Sequence, residues 1–180
     1  MTDRWLWPVP DAVDDVPQRG ARAFGTARKY AVHTGVDLVV EQRVPVYAVE
    51  TGGVVAVEQF TGPLAGSPWW LPTQAVIVEH RDGRCVLYGE IEALVPVGKI
   101  VRRGDPIGIV RRVRKPTFLT LLGCRPDAML HLELWETKRD VFAQYSAARA
   151  LFPNDWPLGT RRPRGLLDPT PFLLKAELPD

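Results

Sequence analysis

Histidine is scarce in this chain, with three in 180 residues, and cysteine is scarcer, with Cys85 and Cys124 alone. Two cysteines rule out a disulfide-dense scaffold, and the expected state is two free thiols. Charge of one sign is also missing. Twenty-three Lys and Arg against 21 Asp and Glu leave a formal net charge of +2, too little long-range field to point to nucleic acid. No window approaches the roughly 18 uninterrupted apolar residues of a membrane-spanning helix. The first ten residues carry Arg4 and are broken by Pro8 and Pro10, so the apolar centre of a secretory signal is absent and a cytoplasmic location is expected. Extended helical periodicity is nearly absent too. The segment Asp140 to Phe152, with Val141, Tyr145, Ala148 and Phe152 on one face, is the single helix candidate.

What the chain does have is punctuation. Seventeen prolines and fifteen glycines fall in short clusters between apolar runs, the pattern of many short strands and turns. Strands are expected at 35–40, 45–49, 53–59, 73–79, 84–90, 106–110 and 130–135, each dense in β-branched or aromatic residues, with Asp82-Gly83 as a hairpin turn. The length suits one domain over residues 1–180, with a core at about 22–136. Residues 137–180 are expected to add the helix and an irregular, proline-rich tail that wraps back through Leu166, Leu167 and Phe172.

The histidines carry the chemistry-bearing pattern. His33 and Asp37 lie four apart with Gly35 between them, a spacing that lets a turn entering a strand bring both to one point. A capped turn with a surface carboxylate has the same local pattern. His131 lies in the alternating run Met129 to Leu134 and shares its face with Met129 and Glu133. Two imidazoles and one carboxylate leave a fourth position open on a tetrahedral zinc ion, as catalytic sites do. Glu133 is placed either to hold the outer nitrogen of a ligand histidine or to pair with an arginine.

At this point an ordered series of segments resembles the lysostaphin-type zinc metallopeptidases, whose β fold is called the duplicated hybrid motif. The series runs through Phe24-Gly25, His33 to Asp37, Val46-Tyr47-Ala48, Gly52-Gly53-Val54-Val55, Val76 to His80, Leu87-Tyr88, Val97-Gly98, Gly104 to Gly108, Leu130 to Glu133 and Asp168 to Pro171. The resemblance implies a single mainly β domain of antiparallel sheets, with His33, Asp37 and His131 as the zinc ligands. It also implies hydrolysis of amide bonds in a peptide or a peptidoglycan-related cell-wall peptide. His80 falls where many members have a non-ligand histidine and is read as structural.

Two positions depart from the family pattern. Met129 stands where a catalytic histidine precedes the last ligand by two residues, and Glu90 follows Tyr88-Gly89 where a second catalytic histidine is usual. Methionine neither donates a strong hydrogen bond nor carries a proton. Glu90 is a candidate general base, since a carboxylate near the metal serves that role in other zinc hydrolases, and a cross-strand salt bridge is its alternative. Trp69 and Trp70, in the longest loop between candidate strands, form a candidate substrate groove with Tyr88, unless they plug the end of the barrel. Arg102, Arg103, Arg111 and Arg112 flank the strand at 106–110, and a solvated hairpin end explains them better than a nucleic-acid rim does. The readings that remain are a zinc hydrolase with altered catalysis, a catalytically inactive zinc-bearing binding or regulatory module, and a metal-free scaffold.

Overall fold

Short alternating segments joined by glycine turns can bury one face only by pairing side by side, and they do so here in one antiparallel sheet. The computed structural model describes residues 4–10, 12, 15–29, 31–115, 127–136 and 156–179. Within them the strands are β1 (Val36–Val39), β2 (Pro45–Tyr47), β3 (Gly52–Thr61), β4 (Thr73–His80), β5 (Arg84–Ala93), β6 (Ile100–Val101), β7 (Pro106–Val110), β8 (Met129–Glu136) and β9 (Leu166–Leu167). The main path runs β1-β8-β5-β4-β3-β6, with β7 joining β2 to β5 and β9 pairing with β8. The order puts β8, late in sequence, between β1 and β5, so the two ends of the histidine pattern meet on neighbouring strands at the β1 end of this path.

All seven expected strands are present, within a residue or three at their ends. Two short strands, β6 and β9, were not expected. Each is only two residues long, too short to show alternation. The helix expected at Asp140 to Phe152 lies outside the described residues. The helix that is described, α1 (Thr170–Leu173), is a single turn in the tail, where irregular chain was expected. It starts beside Pro169 and carries Pro171 in its first turn, where a missing N–H costs nothing. The tail does return to the sheet: Leu166 and Leu167 pair with Trp135 and Leu134, and Phe172 stacks on Trp5 with centroids 4.9 Å apart.

The two faces of the sheet divide the work. One face carries the large core, including Val36, Leu38, Val76, Val78, Val86, Tyr88, Leu130, Leu132 and Leu134, all essentially without solvent exposure. The other carries a smaller cluster of Ala75, Ile77, Cys85, Leu87, Trp135 and Leu166. Strand alternation places Asp37, His131 and Glu133 on this second face, beside that cluster. Burying the residues of the large core is the dominant favourable term in folding and holds the backbone beneath the polar face rigid.

Candidate metal centre

The polar residues of the second face are assembled across three neighbouring strands. Asp37 of β1 stands directly opposite His131 of β8, and His131 stands opposite Gly89 of β5. His33 arrives from the turn before β1, held by backbone bonds from its N–H to Thr26 and from the Gly25 N–H to its carbonyl. Gly35 makes the close approach possible. A Cβ there would lie 2.4 Å from the Leu132 carbonyl oxygen and 2.9 Å from the His131 ring, so only glycine lets the turn cross β8 at this height. Gly89 does the same for Phe60, whose ring lies 5.2 Å from that of His131 and would be 2.7 Å from an added Cβ.

Three donor atoms converge. His33 Nε2 lies 3.0 Å from Asp37 Oδ1, His131 Nδ1 lies 2.7 Å from the same oxygen, and the two nitrogens are 3.2 Å apart. The far nitrogen of each ring is fixed from behind. His33 Nδ1 donates to the Ala23 carbonyl at 2.9 Å, and His131 Nε2 donates to Glu133 Oε1 at 2.9 Å. With those N–H bonds in place, the other nitrogen of each ring faces Asp37 Oδ1. Three lone pairs this close repel one another unless a proton or a cation lies between them.

The electrostatics follow from that convergence. Burial alone would raise the Asp37 carboxyl, but hydrogen bonds from His131 and His33 outweigh it and hold the group far below the usual carboxylate range. Burial lowers His33, and Asp37 only partly offsets this. Burial likewise opposes the charge on His131, yet its bonds to Asp37 and Glu133 push it up to about 9. Glu133 therefore lies behind His131. Its Oε1 also accepts from the Thr34 hydroxyl at 2.7 Å and its Oε2 from the Trp135 indole at 2.8 Å.

Glu90 reaches this face by an irregularity. Gln74 pairs with Ile91 and Val76 with Tyr88, so Gly89 and Glu90 together oppose Ala75 alone, a β-bulge. Glu90 has φ +66°, a left-handed conformation unusual for a residue with a side chain. The bulge lets Tyr88 and Ile91 both enter the large core while Glu90 is turned out of it. Glu90 is buried, its Oε2 has no hydrogen-bond partner among the described residues, and burial together with the negative charge of Asp37 pushes it up to about 8.

The other expected site residues are distributed unevenly. Met129 is buried in β8 and shares the face of His131 by alternation. Trp69 is exposed and Trp70 half-buried in the connection from β3 to β4, whose base is pinned where the Thr61 and Thr73 hydroxyls meet at 2.7 Å. That connection leaves β3 directly after Thr61, at the end of the sheet that carries Glu90. Tyr88 does not fit a groove. It is fully buried on the opposite face, its hydroxyl accepts from the Val49 N–H at 2.9 Å, and burial pushes its pKa up. His80 is buried on that same opposite side, with Nδ1 donating to the Thr51 carbonyl at 3.1 Å. Of the flanking arginines, Arg103 pairs with Glu177, Arg111 with Glu92 and Arg112 with Asp127, as solvated hairpin ends do. The residue that the sequence did not reveal is Arg28, whose Nη2 lies 2.5 Å from Asp37 Oδ2.

Comparison with known proteins agrees with this architecture. A zinc-containing peptidase from Vibrio cholerae aligns with a TM-score of 0.52 and 23% identity over 73% of this chain, which spans only 36% of that protein. The catalytic domain of the antimicrobial peptidase lysostaphin from Staphylococcus simulans aligns with a TM-score of 0.53 and 18% identity, over 86% of this chain and 90% of that domain. LytU aligns with a TM-score of 0.53 and 20% identity, over 86% and 85%. At these identities the likeness establishes the fold, a lysostaphin-type antiparallel β architecture. No curated protein is similar enough to match. The model of peptidase family M23 matches residues 31–143, more than half of the sequence and including all three converging side chains, and by that match the chain belongs to peptidase family M23.

Proposed function

We propose that this chain is a zinc-dependent hydrolase of peptide amide bonds with weakened catalysis, in which His33, Asp37 and His131 hold the metal and Glu90 is the general base. The observation that carries the reading is the convergence of His33 Nε2, Asp37 Oδ1 and His131 Nδ1 within 3.2 Å of one another, with both imidazole tautomers fixed from behind. Two imidazole nitrogens and one carboxylate oxygen are the donor set that zinc takes in catalytic sites, and a metal ion in place of the shared proton would satisfy all three atoms at once. A zinc ion held there polarises an amide carbonyl and acidifies water.

The rest of the chemistry falls to the protein. Glu90, buried and with one oxygen unpartnered, accepts a proton from the attacking water and returns it to the departing amine nitrogen. Phe60 closes one side of the His131 ring and excludes water there. Met129 contributes no donor where the family has a histidine, and loss of one oxyanion donor costs about 10²–10³ in turnover. Trp69, exposed at the same end of the sheet, is the wall against which a peptide segment packs. Peptides, cell-wall peptides among them, are the substrate class.

Met129 also favours a second reading, a module that holds zinc and binds peptide without cutting it. One experiment separates the two. Zinc content is measured for the wild type, Glu90→Gln and His131→Ala, and each is incubated with a panel of peptides that includes cell-wall cross-bridge peptides. The expected result is near-stoichiometric zinc in the first two, little in the third, and cleavage by the wild type alone. Zinc with peptide binding and no cleavage selects the second reading, and no zinc in the wild type refutes both.

A further inference from the structure

The carboxylate of Asp37 has two oxygens, and they face different partners. Oδ1 faces the two histidines, while Oδ2 accepts from Arg28 Nη2 at 2.5 Å. Arg28 is not a loose surface side chain at this point. Its Nη2 and Nε both donate to the Ala21 carbonyl, at 2.7 and 3.0 Å, so the plane of the guanidinium is set by backbone. The same stretch of chain holds the other parts of the centre: the Ala23 carbonyl takes the His33 Nδ1 proton, and the Arg22 carbonyl takes the Asp37 backbone N–H at 3.0 Å. One turn, residues 21–28, thereby braces two candidate ligands from behind.

We propose that Arg28 is a positioning residue for the metal centre: anchored on Ala21, it occupies Asp37 Oδ2, so that Asp37 offers the metal a single oxygen and a coordination position stays open for substrate. The inference rests on the zinc reading above and extends it to a residue outside the three ligands. A carboxylate with both oxygens free can bind a cation through both, which raises the coordination number and fills the open position. A planar, backbone-anchored fork prevents this, and a lysine ammonium, a rotating point donor, cannot hold the same geometry. The half-exposed Arg28 side chain also keeps a positive charge beside the buried carboxylate, and any role for that charge alone is separable by the lysine variant.

The test uses the full chain, stripped of metal and reloaded. Zinc affinity is read by competition with a chromophoric chelator, and coordination by the visible d–d absorption of the cobalt(II)-substituted protein, for the wild type, Arg28→Gln and Arg28→Lys. Changes to such outer partners typically weaken metal binding by about 10–100-fold, and that loss is expected for Arg28→Gln, with a weaker cobalt band signalling a higher coordination number. Arg28→Lys is expected to keep more of the affinity but to show the altered band. In an Asp37→Asn background, Arg28→Gln is expected to change zinc affinity by no more than about twofold, the scatter of independent effects. Wild-type affinity and an unaltered band in both Arg28 variants overturn the inference while leaving the zinc reading intact, and so does an undiminished loss in the Asp37→Asn background. If Arg28→Gln does not fold, as judged by circular dichroism of the metal-free protein, the band of Arg28→Lys decides alone. No metal in the wild type removes the zinc reading, and this inference with it.

Discussion

Glu90 is the residue where function and stability are most directly opposed. Its carboxyl is buried, lacks a partner for Oε2, and is pushed from the ordinary 4.5 up to about 8 by burial and by the charge of Asp37. A group whose folded-state pKa is raised this way binds more protons folded than unfolded, so stability falls as pH rises through the window from 4.5 to 8. With those two values the linkage relation gives a penalty of about 4 kcal/mol at pH 8 and under about 1 kcal/mol at pH 5, as upper bounds. Glu90→Gln removes the titration. The variant is expected to gain about 3 kcal/mol more over the wild type at pH 8 than at pH 5, a difference of roughly 6–12 °C in Tm for a chain of this length. The assay is thermal unfolding of metal-free protein at both pH values, followed by circular dichroism. Glu90→Gly should be stabilising in addition, because φ +66° costs a residue with a side chain about 1 kcal/mol or more that glycine avoids. Equal Tm shifts for Glu90→Gln at pH 5 and pH 8 would refute the assignment of a raised, uncompensated carboxyl.

Three further outcomes follow from the same geometry. Gly35→Ala sets a Cβ against the Leu132 carbonyl and the His131 ring, and should cost about 1–3 kcal/mol in urea unfolding while lowering metal content, since neither neighbour can move without shifting β8. Glu133→Gln weakens the support behind the His131 ring and sets an amide NH2 against a buried donor, so it is expected to reduce zinc affinity by about 10–100-fold in chelator competition and to lower the stability of the metal-free protein by about 1–3 kcal/mol in urea unfolding. Burial holds His80 below its ordinary 6.5, with its bond to the Thr51 carbonyl only partly offsetting that, so the unfolded chain binds the extra proton first. Stability from this group is full above 6.5 and lost as pH falls below it, and a His80→Gln variant should show a flatter stability profile on that acid side in urea titrations.

How much of this was legible in the sequence depends on the range of the interaction. Strands such as Thr73–His80 and Pro106–Val110 were visible because alternation and turn residues are local, with a period of two that survives in any one segment. The face shared by His131 and Glu133 was visible for the same reason. The strands β6 and β9, two residues each, were not, since pairing with β3 and β8 defines them and no local period does. Tyr88 was misplaced because a strand pattern does not say which of its two faces meets the core.

By itself, then, the sequence determined a mainly β chain and the identity of three residues able to share a cation. Only the tertiary structure decided that they meet. It took β8 settling between β1 and β5 to bring Asp37 opposite His131, across 94 residues of chain. It took a bulge against Ala75 to turn Glu90 out of the large core while Tyr88 and Ile91 stayed in it, and the turn at 21–28 to set Arg28 behind Asp37. Those features arise from register and packing between distant segments, which a period along one strand cannot encode.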